Sequence, residues 1–515
     1  MDEPPRLAEV AGILSLATDL AMGQPLEHSL RTALLALRLG RELGLDEHDL
    51  ITVYYTGVLH FAGCTAESEI DARFFGDELA ARARMLPAQF GSRLGLMATM
   101  MRVVHSDSTP LARAAVMARS AFSGIGEFKK WARSHCDVAR LIGARMGLSG
   151  DVQTALRHLY ERWDGNGMPG ELRGEQLPLA VRLMQVAQDA DVAWQYGGTA
   201  VAATVLSEHA GSGLDPGLVR IARALGDSLY DGLDAPSVWT RAIDSEPGAR
   251  PVLDDTGLDA CLTAIGDFGD LKSMWMVGHS RGVAALADAA GAEAGLAIPE
   301  IRTLRRAALV HDIGRVTVPV SVWAKPGPLS RDDLEKVRLH AYHSERVLRA
   351  APGLAAIAQL AGAHGERCDG SGYHRGSRRA DLPVAVWVLT AADCYRAMRE
   401  PRAHRPALDP DEAAAELRVQ AAEGRHAPEA VNAVLLAADP QRRPAVPPPR
   451  PAGLSERETE VLGLIASGMA TKQVARQLGI SPKTCDHHIQ SLYRKIGSST
   501  RAGATLFALE HGLVS

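Results

Sequence analysis

Histidines recur in this chain at two matched spacings, and no other feature limits its possible folds as much. His28 and His60 lie 32 residues apart, as do His279 and His311. His135 precedes Leu159 by 24 residues, and His340 precedes His364 by the same number. Around these anchors, Glu27-His28-Ser29 answers Gly278-His279-Ser280, and ERWDGNG at Glu161–Gly167 answers ERCDGSG at Glu366–Gly372. A shared composition bias does not preserve two spacings at once, so the chain holds two copies of one unit. The first copy carries an insertion between Phe61 and His135. Apolar residues recur mostly at helical spacing, as in LEHSLRTALLALRLGREL and SRGVAALADAAGAEAGL, so both copies are expected to be α-helical.

At 515 residues the chain exceeds one ordinary core, and its boundaries are legible. Six prolines within Pro440–Pro451 forbid helix and favour an extended spacer. A weaker break lies at Ala235–Pro251. The expected domains are therefore residues 1–235, 236–439, a linker over 440–452, and 453–515. With 46% hydrophobic and 23% charged residues the chain suits a folded, soluble protein. The acidic N-terminus lacks a secretory pattern, and Leu382–Ala392 is too short to span a bilayer, so no membrane association is expected. Six cysteines without a C-x-x-C pair read as reduced thiols of a cytoplasmic protein. The net charge is −5, yet from Pro440 onward ten Lys/Arg face five Asp/Glu. That asymmetry has the sign of an acidic body with a nucleic-acid-binding tail.

The tail reads as short helices. Ser455 with Glu458 forms a capping box before Val461, Leu462 and Ile465. Thr471 can cap a second helix that stops at Gly479. Ser481 caps a third, with Pro482 at its first position and Gly497 closing it. Two short helices joined by a tight turn place the second in a major groove. Over its whole length this segment resembles the LuxR-type helix-turn-helix domain, through ETEVL, IS-x-KT, the recognition-helix histidine, KIG and R-x-x-A. Cys485 stands where that family usually has Val. The resemblance implies double-stranded DNA as partner, with Asp486, His487 and Gln490 towards bases. It places Thr484, Lys495 and Arg501 on phosphates, and Lys483 lies on the same exposed helix.

In the second copy, His311 and Asp312 end the apolar run RRAALVHDIG, and His279, His340, His364 and Asp393 fall at repeat-defining positions. Imidazole beside carboxylate suits a transition metal, and a carboxylate's second oxygen can reach another ion. VHDIGRVTVPVSVWAKPGPLSRDDLEKVRLHAYHSERVL, AHGERCDGSGYHRG and LTAADCYRAM resemble the HD-GYP branch of the HD phosphohydrolases over about Met276–Ala437. By that resemblance His279, His311, Asp312 and Asp393 hold a first metal (Fe, Mn or Zn). His340 and His364 bind a second, bridged by Asp312. Asp312 and Arg315 would serve catalysis, Arg315 replacing the family's Lys as a cation for phosphate. The implied ligand or substrate is a cyclic dinucleotide such as cyclic di-GMP. Two departures stand out. The family's paired histidines are His364-Gly365 here, which removes one ligand of the second metal, and Gly-Tyr-Pro is Gly372-Tyr373-His374. His374 is a conceivable substitute ligand.

The first copy keeps His28, His60, His135 and Asp189, but Phe61 replaces the bridging Asp and Leu159-Tyr160 the paired histidines, with His158 one residue out of register. It is expected to be a pseudo-site, a dimerisation surface or a ligand pocket. G-H-S-R-G at Gly278–Gly282 also fits the elbow of a serine hydrolase. The first copy keeps the histidine of this segment without either glycine, which argues against that use. The expectation is a mainly α chain: two HD-type helical domains in tandem, the first degenerate, then a four-helix helix-turn-helix domain. Its expected function is transcription regulation as a homodimer, with the HD-GYP-like region sensing or hydrolysing a dinucleotide. The alternative is a phosphodiesterase with an accessory DNA-binding tail.

Overall fold

The computed structural model describes residues 4–66, 68–85, 129–439 and 451–514. Much of the insertion after Phe61, and the spacer up to Arg450, lie outside the described residues. Among those described, regular structure is helical throughout, with β-pairing limited to isolated bridges, in line with the expected fold class. No described helix is long and apolar enough to cross a membrane, and all six cysteines are free thiols.

The chain divides into two compact units, Pro4–Gly257 and the residues from Leu258 onward. In the first, α1 (Leu7–Ala21) is buried on nearly all sides. Helix α2 (His28–Glu42) packs against α3 (Glu47–Leu59) and α4 (Leu179–His209). Helix α4 breaks direction at Gly197-Gly198, where Gly198 takes φ 73°. The sequence reading gave residues 236–257 to the second domain, but here they complete the first unit. The helix Trp239–Asp244 packs on α1 and α2, and Arg6 bonds Glu246 at 2.6 Å. The Pro- and Gly-bearing stretch that suggested a break is thus a turn that returns the chain to its own core.

The second unit opens with α5 (Asp255–Asp270), α6 (His279–Glu293) and α7 (Ile298–Val310). It continues through α8 (Arg331–Leu348), α9 (Ala355–Gly362), α10 (Val384–Arg399), α11 (Pro410–Ala422) and α12 (Pro428–Ala438). Helix α6 packs on α7, α10 and α12, and α8 lies on the turn that follows α7.

One glycine in each copy explains how the repeat holds its shape. Three residues after His60 and His311 stand Gly63 and Gly314. A Cβ at Gly63 would lie 1.9 Å from the carbonyl oxygen of His135, and at Gly314 2.0 Å from that of His340. Only glycine lets the later histidine's backbone approach so closely.

The tail forms α13 (Glu456–Ala466), α14 (Thr471–Gln477), α15 (Pro482–Ile496) and α16 (Arg501–Glu510) around Val461, Leu462, Ile465, Val474, Ile489 and Leu492. Ser455 and Ser481 cap as expected, and Gly497 closes α15 at φ 66°. Thr471 does not cap. Ala470 holds that position, and Gln473 accepts a hydrogen bond from its backbone N–H at 2.8 Å. Cys485 is fully buried in this core.

Candidate metal centre and nucleic-acid interface

In the second unit six side chains from five segments converge. His279 opens α6, His311 and Asp312 follow α7, His340 lies on α8, His364 follows α9 and Asp393 lies on α10. Three of the histidines are held the same way. His311 Nδ1–H donates to the Ala308 carbonyl at 2.8 Å, His364 Nδ1–H to Ala361 at 2.7 Å, and His340 Nδ1–H to Val337. A carbonyl only accepts, so each Nδ1 carries a proton and each Nε2 is the atom left to face a metal.

Those Nε2 atoms meet around Asp312. His340 Nε2 is 3.2 Å and His364 Nε2 3.5 Å from Oδ1, while His311 Nε2 is 3.1 Å and His279 Nε2 3.5 Å from Oδ2. Asp393 Oδ1 lies 3.1 Å from His279 Nε2 and 3.8 Å from that of His311. His340 Nε2 and His364 Nε2 face each other at 2.9 Å, an arrangement that a shared cation relieves. His311 Nε2 and both Asp312 oxygens are buried without an aligned hydrogen-bond partner. The donor set therefore fits divalent metal. Ligand atoms fall within 4.8 Å of one another in three sets: His279, His311 and Asp312; His311, His364 and Asp393; and Asp312, His340 and His364. Asp312 belongs to two of them.

The electrostatics follow from burial against charge. Burial disfavours the His311 cation, but the Asp312 and Asp393 carboxylates lift it to about 10. Burial and the neighbouring His311 and His340 push His364 down to about 3. Burial raises the Asp312 carboxyl, yet Arg315 and His311 hold it well below the usual range. Metal loading must therefore displace a proton from His311, while His364 is already neutral.

Arg315 Nη1 stands 2.8 Å from Asp312 Oδ2, with its guanidinium 5.0 Å over the Trp323 ring. His374 joins no ligand set; it stacks edge-on with Tyr342 at 5.6 Å. The position of the lost ligand is filled, since a Cβ on Gly365 would lie 2.5 Å from the Tyr373 ring. Ser280 is not poised for nucleophilic attack: its Oγ donates to Asp270 at 2.8 Å, as Ser29 Oγ does to Asp19 at 2.6 Å. Sequence reasoning missed Glu400, which accepts from His279 Nδ1–H at 2.8 Å. Its signal was available, because a carboxylate seven residues after Asp393 projects from the same side of the chain.

In the first unit Phe61 occupies the bridging position, stacked 5.8 Å from the His28 ring. Asp189, singled out as the counterpart of Asp393, instead bonds His209 at 2.7 Å. The carboxylate on His28 Nδ1 is Asp191, at 2.6 Å. His158 ends the helix Gly150–Arg157 and is half-buried. The retained ER-x-DG-x-G loops are structural. Glu161 accepts from the backbone N–H of Gly170 and Glu171, and Glu366 from those of Arg375 and Ser377.

On α15, Lys483, Thr484, Asp486, His487 and Gln490 are exposed. Lys495 and Arg501 are tied into the domain. Lys495 Nζ bonds Glu458 at 2.6 Å, and Arg501 Nη1 donates to the Met469 carbonyl at 2.8 Å. Burial raises the Glu458 carboxyl, but Lys495, Ser455 and Ser491 outweigh it and hold it at about 2. A depressed carboxyl contributes stability above its unfolded value and loses it as pH falls through the folded one. The stability difference between the wild-type tail and Glu458→Gln should therefore close between about pH 4.5 and pH 2. Denaturant titration of the full chain, followed through NMR signals of the tail, reads this; a constant difference refutes it.

The HD domain signature matches residues 118–218 and 267–429, and that of the bacterial regulatory proteins of the luxR family matches residues 452–508. The chain is 28% identical over 412 residues to the 3′3′-cGAMP-specific phosphodiesterase 3 of Vibrio cholerae, covering 79% of this chain and 90% of that protein. The tail is 44% identical over 62 residues to the transcriptional regulatory protein MctR of Rhizobium johnstonii, covering 12% of this chain and 29% of that one. A crystal structure of a cyclic GMP-AMP-specific phosphodiesterase from V. cholerae matches with a TM-score of 0.59 at 25% identity, over 86% of this chain and 99% of that one.

Proposed function

This chain belongs to the HD-domain family and ends in a luxR-family DNA-binding domain, and from that premise we propose that it is a transcription regulator governed by a cyclic dinucleotide. The ligand binds at the divalent-metal centre of the second unit. The observation that carries this reading is Asp312, whose two oxygens face separate histidine pairs beside a domain built to read DNA. We assign His279, His311, Asp312 and Asp393 to one ion, and Asp312, His340 and His364 to a second. Iron, manganese or zinc suits this mixed set. Bound there, the ions would polarise a phosphodiester and lower the pKa of water.

The chain's own groups supply the rest. Arg315, fixed by Asp312 and Trp323, offers a cation to a phosphate. Glu400 orients His279. Lys483, Thr484, Asp486, His487 and Gln490 face DNA. The protein acts in the cytoplasm as a homodimer, the form in which helix-turn-helix domains read paired half-sites. A phosphodiesterase with an accessory tail is the second reading, and the 90% coverage of the V. cholerae enzyme favours it.

Linkage tests the choice. In the metal-loaded full chain, DNA selected from a random library should change the affinity for a phosphorothioate analogue of 3′3′-cGAMP by about 5- to 150-fold, the usual range of allosteric coupling. Equal affinity with and without DNA, together with turnover of 3′3′-cGAMP itself, would establish the enzyme reading instead.

A further inference from the structure

Beside the eroded centre of the first unit lies a cavity of about 510 Å³, within the range of small-molecule sites. Phe61 has removed the bridging carboxylate, and the carboxylate that remains on His28, Asp191, is also paired with Arg31. Polar atoms nonetheless remain unpaired around it. His60 Nδ1–H donates to the Gly57 carbonyl at 2.6 Å, leaving a buried Nε2 lone pair without a donor. Burial holds this imidazole neutral, at about 3, so it only accepts there. Trp131 Nε1–H lacks an acceptor and Gln24 Oε1 lacks a donor. All three residues line the cavity. Buried polar groups normally find partners, and three orphans around one cavity call for a ligand that supplies them.

The walls describe that ligand. Trp131 stands 5.1 Å from Tyr160, with Phe61 also lining the space, a setting for a flat aromatic molecule. The cations are committed to carboxylates: Arg82 pairs with Asp71, Arg162 with Asp164 at 3.1 Å, and His209 with Asp189 at 2.7 Å. Among the described residues that line the cavity, each of these cations is thus already paired with a carboxylate. We infer that the first unit binds an uncharged planar heteroaromatic, a purine base or nucleoside, in the cavity left by its lost metal centre. A purine edge offers N–H groups to His60 and Gln24 and a ring nitrogen or carbonyl to Trp131.

Equilibrium dialysis of the full-length, metal-stripped Asp312→Ala protein against guanosine, adenosine and GMP tests this without the second unit's metal. One of the nucleosides should bind at one equivalent per chain, and GMP more weakly than guanosine. His60→Phe should weaken nucleoside binding about tenfold or more, since it fills the cavity and removes the acceptor. Trp131→Phe keeps the wall and deletes only the N–H; it should also weaken binding, which covers the case in which His60→Phe does not fold. Absence of nucleoside binding at millimolar concentration overturns the proposal. So does binding indifferent to both substitutions. GMP binding tighter than guanosine would overturn the uncharged assignment and place the phosphate, from a nucleotide, in the site.

Discussion

Asp312→Ala should strip the purified protein of divalent metal, lowering affinity about 100-fold or more. Both of its oxygens are buried without aligned hydrogen bonds, and four histidine Nε2 atoms lie within 3.5 Å of them. No neighbouring group can replace a carboxylate that touches both halves of the site. Glu400→Gln removes the anion behind His279 without touching the ligand atoms, and substitutions of that kind typically cost 10- to 100-fold in affinity. His60→Ala, in the first unit, should leave metal content unchanged. Elemental analysis of the four proteins after matched dialysis reads all three effects. Full occupancy in the Asp312 variant, with the fold intact by circular dichroism, refutes the assignment.

A chain ending at Asp439 should lose sequence-specific DNA binding. The exposed side chains of α15 go with the tail, and phosphate contacts dominate affinity in such complexes. Within the intact chain, His487→Ala and Gln490→Ala should each relax base preference at a cost of about 1–3 kcal/mol, the scale of a good base contact. Lys483→Ala should weaken all sequences alike and reduce the salt slope by about 1. Lys495→Ala behaves differently, because its ammonium bonds Glu458 and the Gly453 carbonyl; it should lower the stability of the tail as well as its affinity. Fluorescence anisotropy across a salt series separates these outcomes. Undiminished specific binding by the truncated chain would sink the DNA-binding role.

Gly365 stands where the HD-GYP resemblance implies a second histidine, and the structure explains why introducing one is not a simple exchange. The Tyr373 ring already occupies the space beside Gly365, so an added side chain must first displace a half-buried aromatic. The centre has been repacked around its loss, not left with a gap.

Much of this was legible in the residues themselves. The matched spacings of His28 and His60 with His279 and His311 established the duplication, since helix length and the turn after it set those intervals together. Capping by Ser455 and Ser481 and the glycine at 497 are local effects, readable because each acts within one turn of helix. The residues that converge on Asp312 were legible because His279, His311 and His340 answer His28, His60 and His135 at matched spacings. Tertiary structure alone decided what depends on contacts between distant segments. It paired His28 with Asp191 and gave Asp189, two residues earlier and on the opposite face of α4, to His209. It recruited Glu400 behind His279, 121 residues away. It also turned Lys495 and Arg501 inward onto Glu458 and the Met469 carbonyl, because a flexible cationic side chain takes whichever anion or carbonyl the packing of other helices brings within reach.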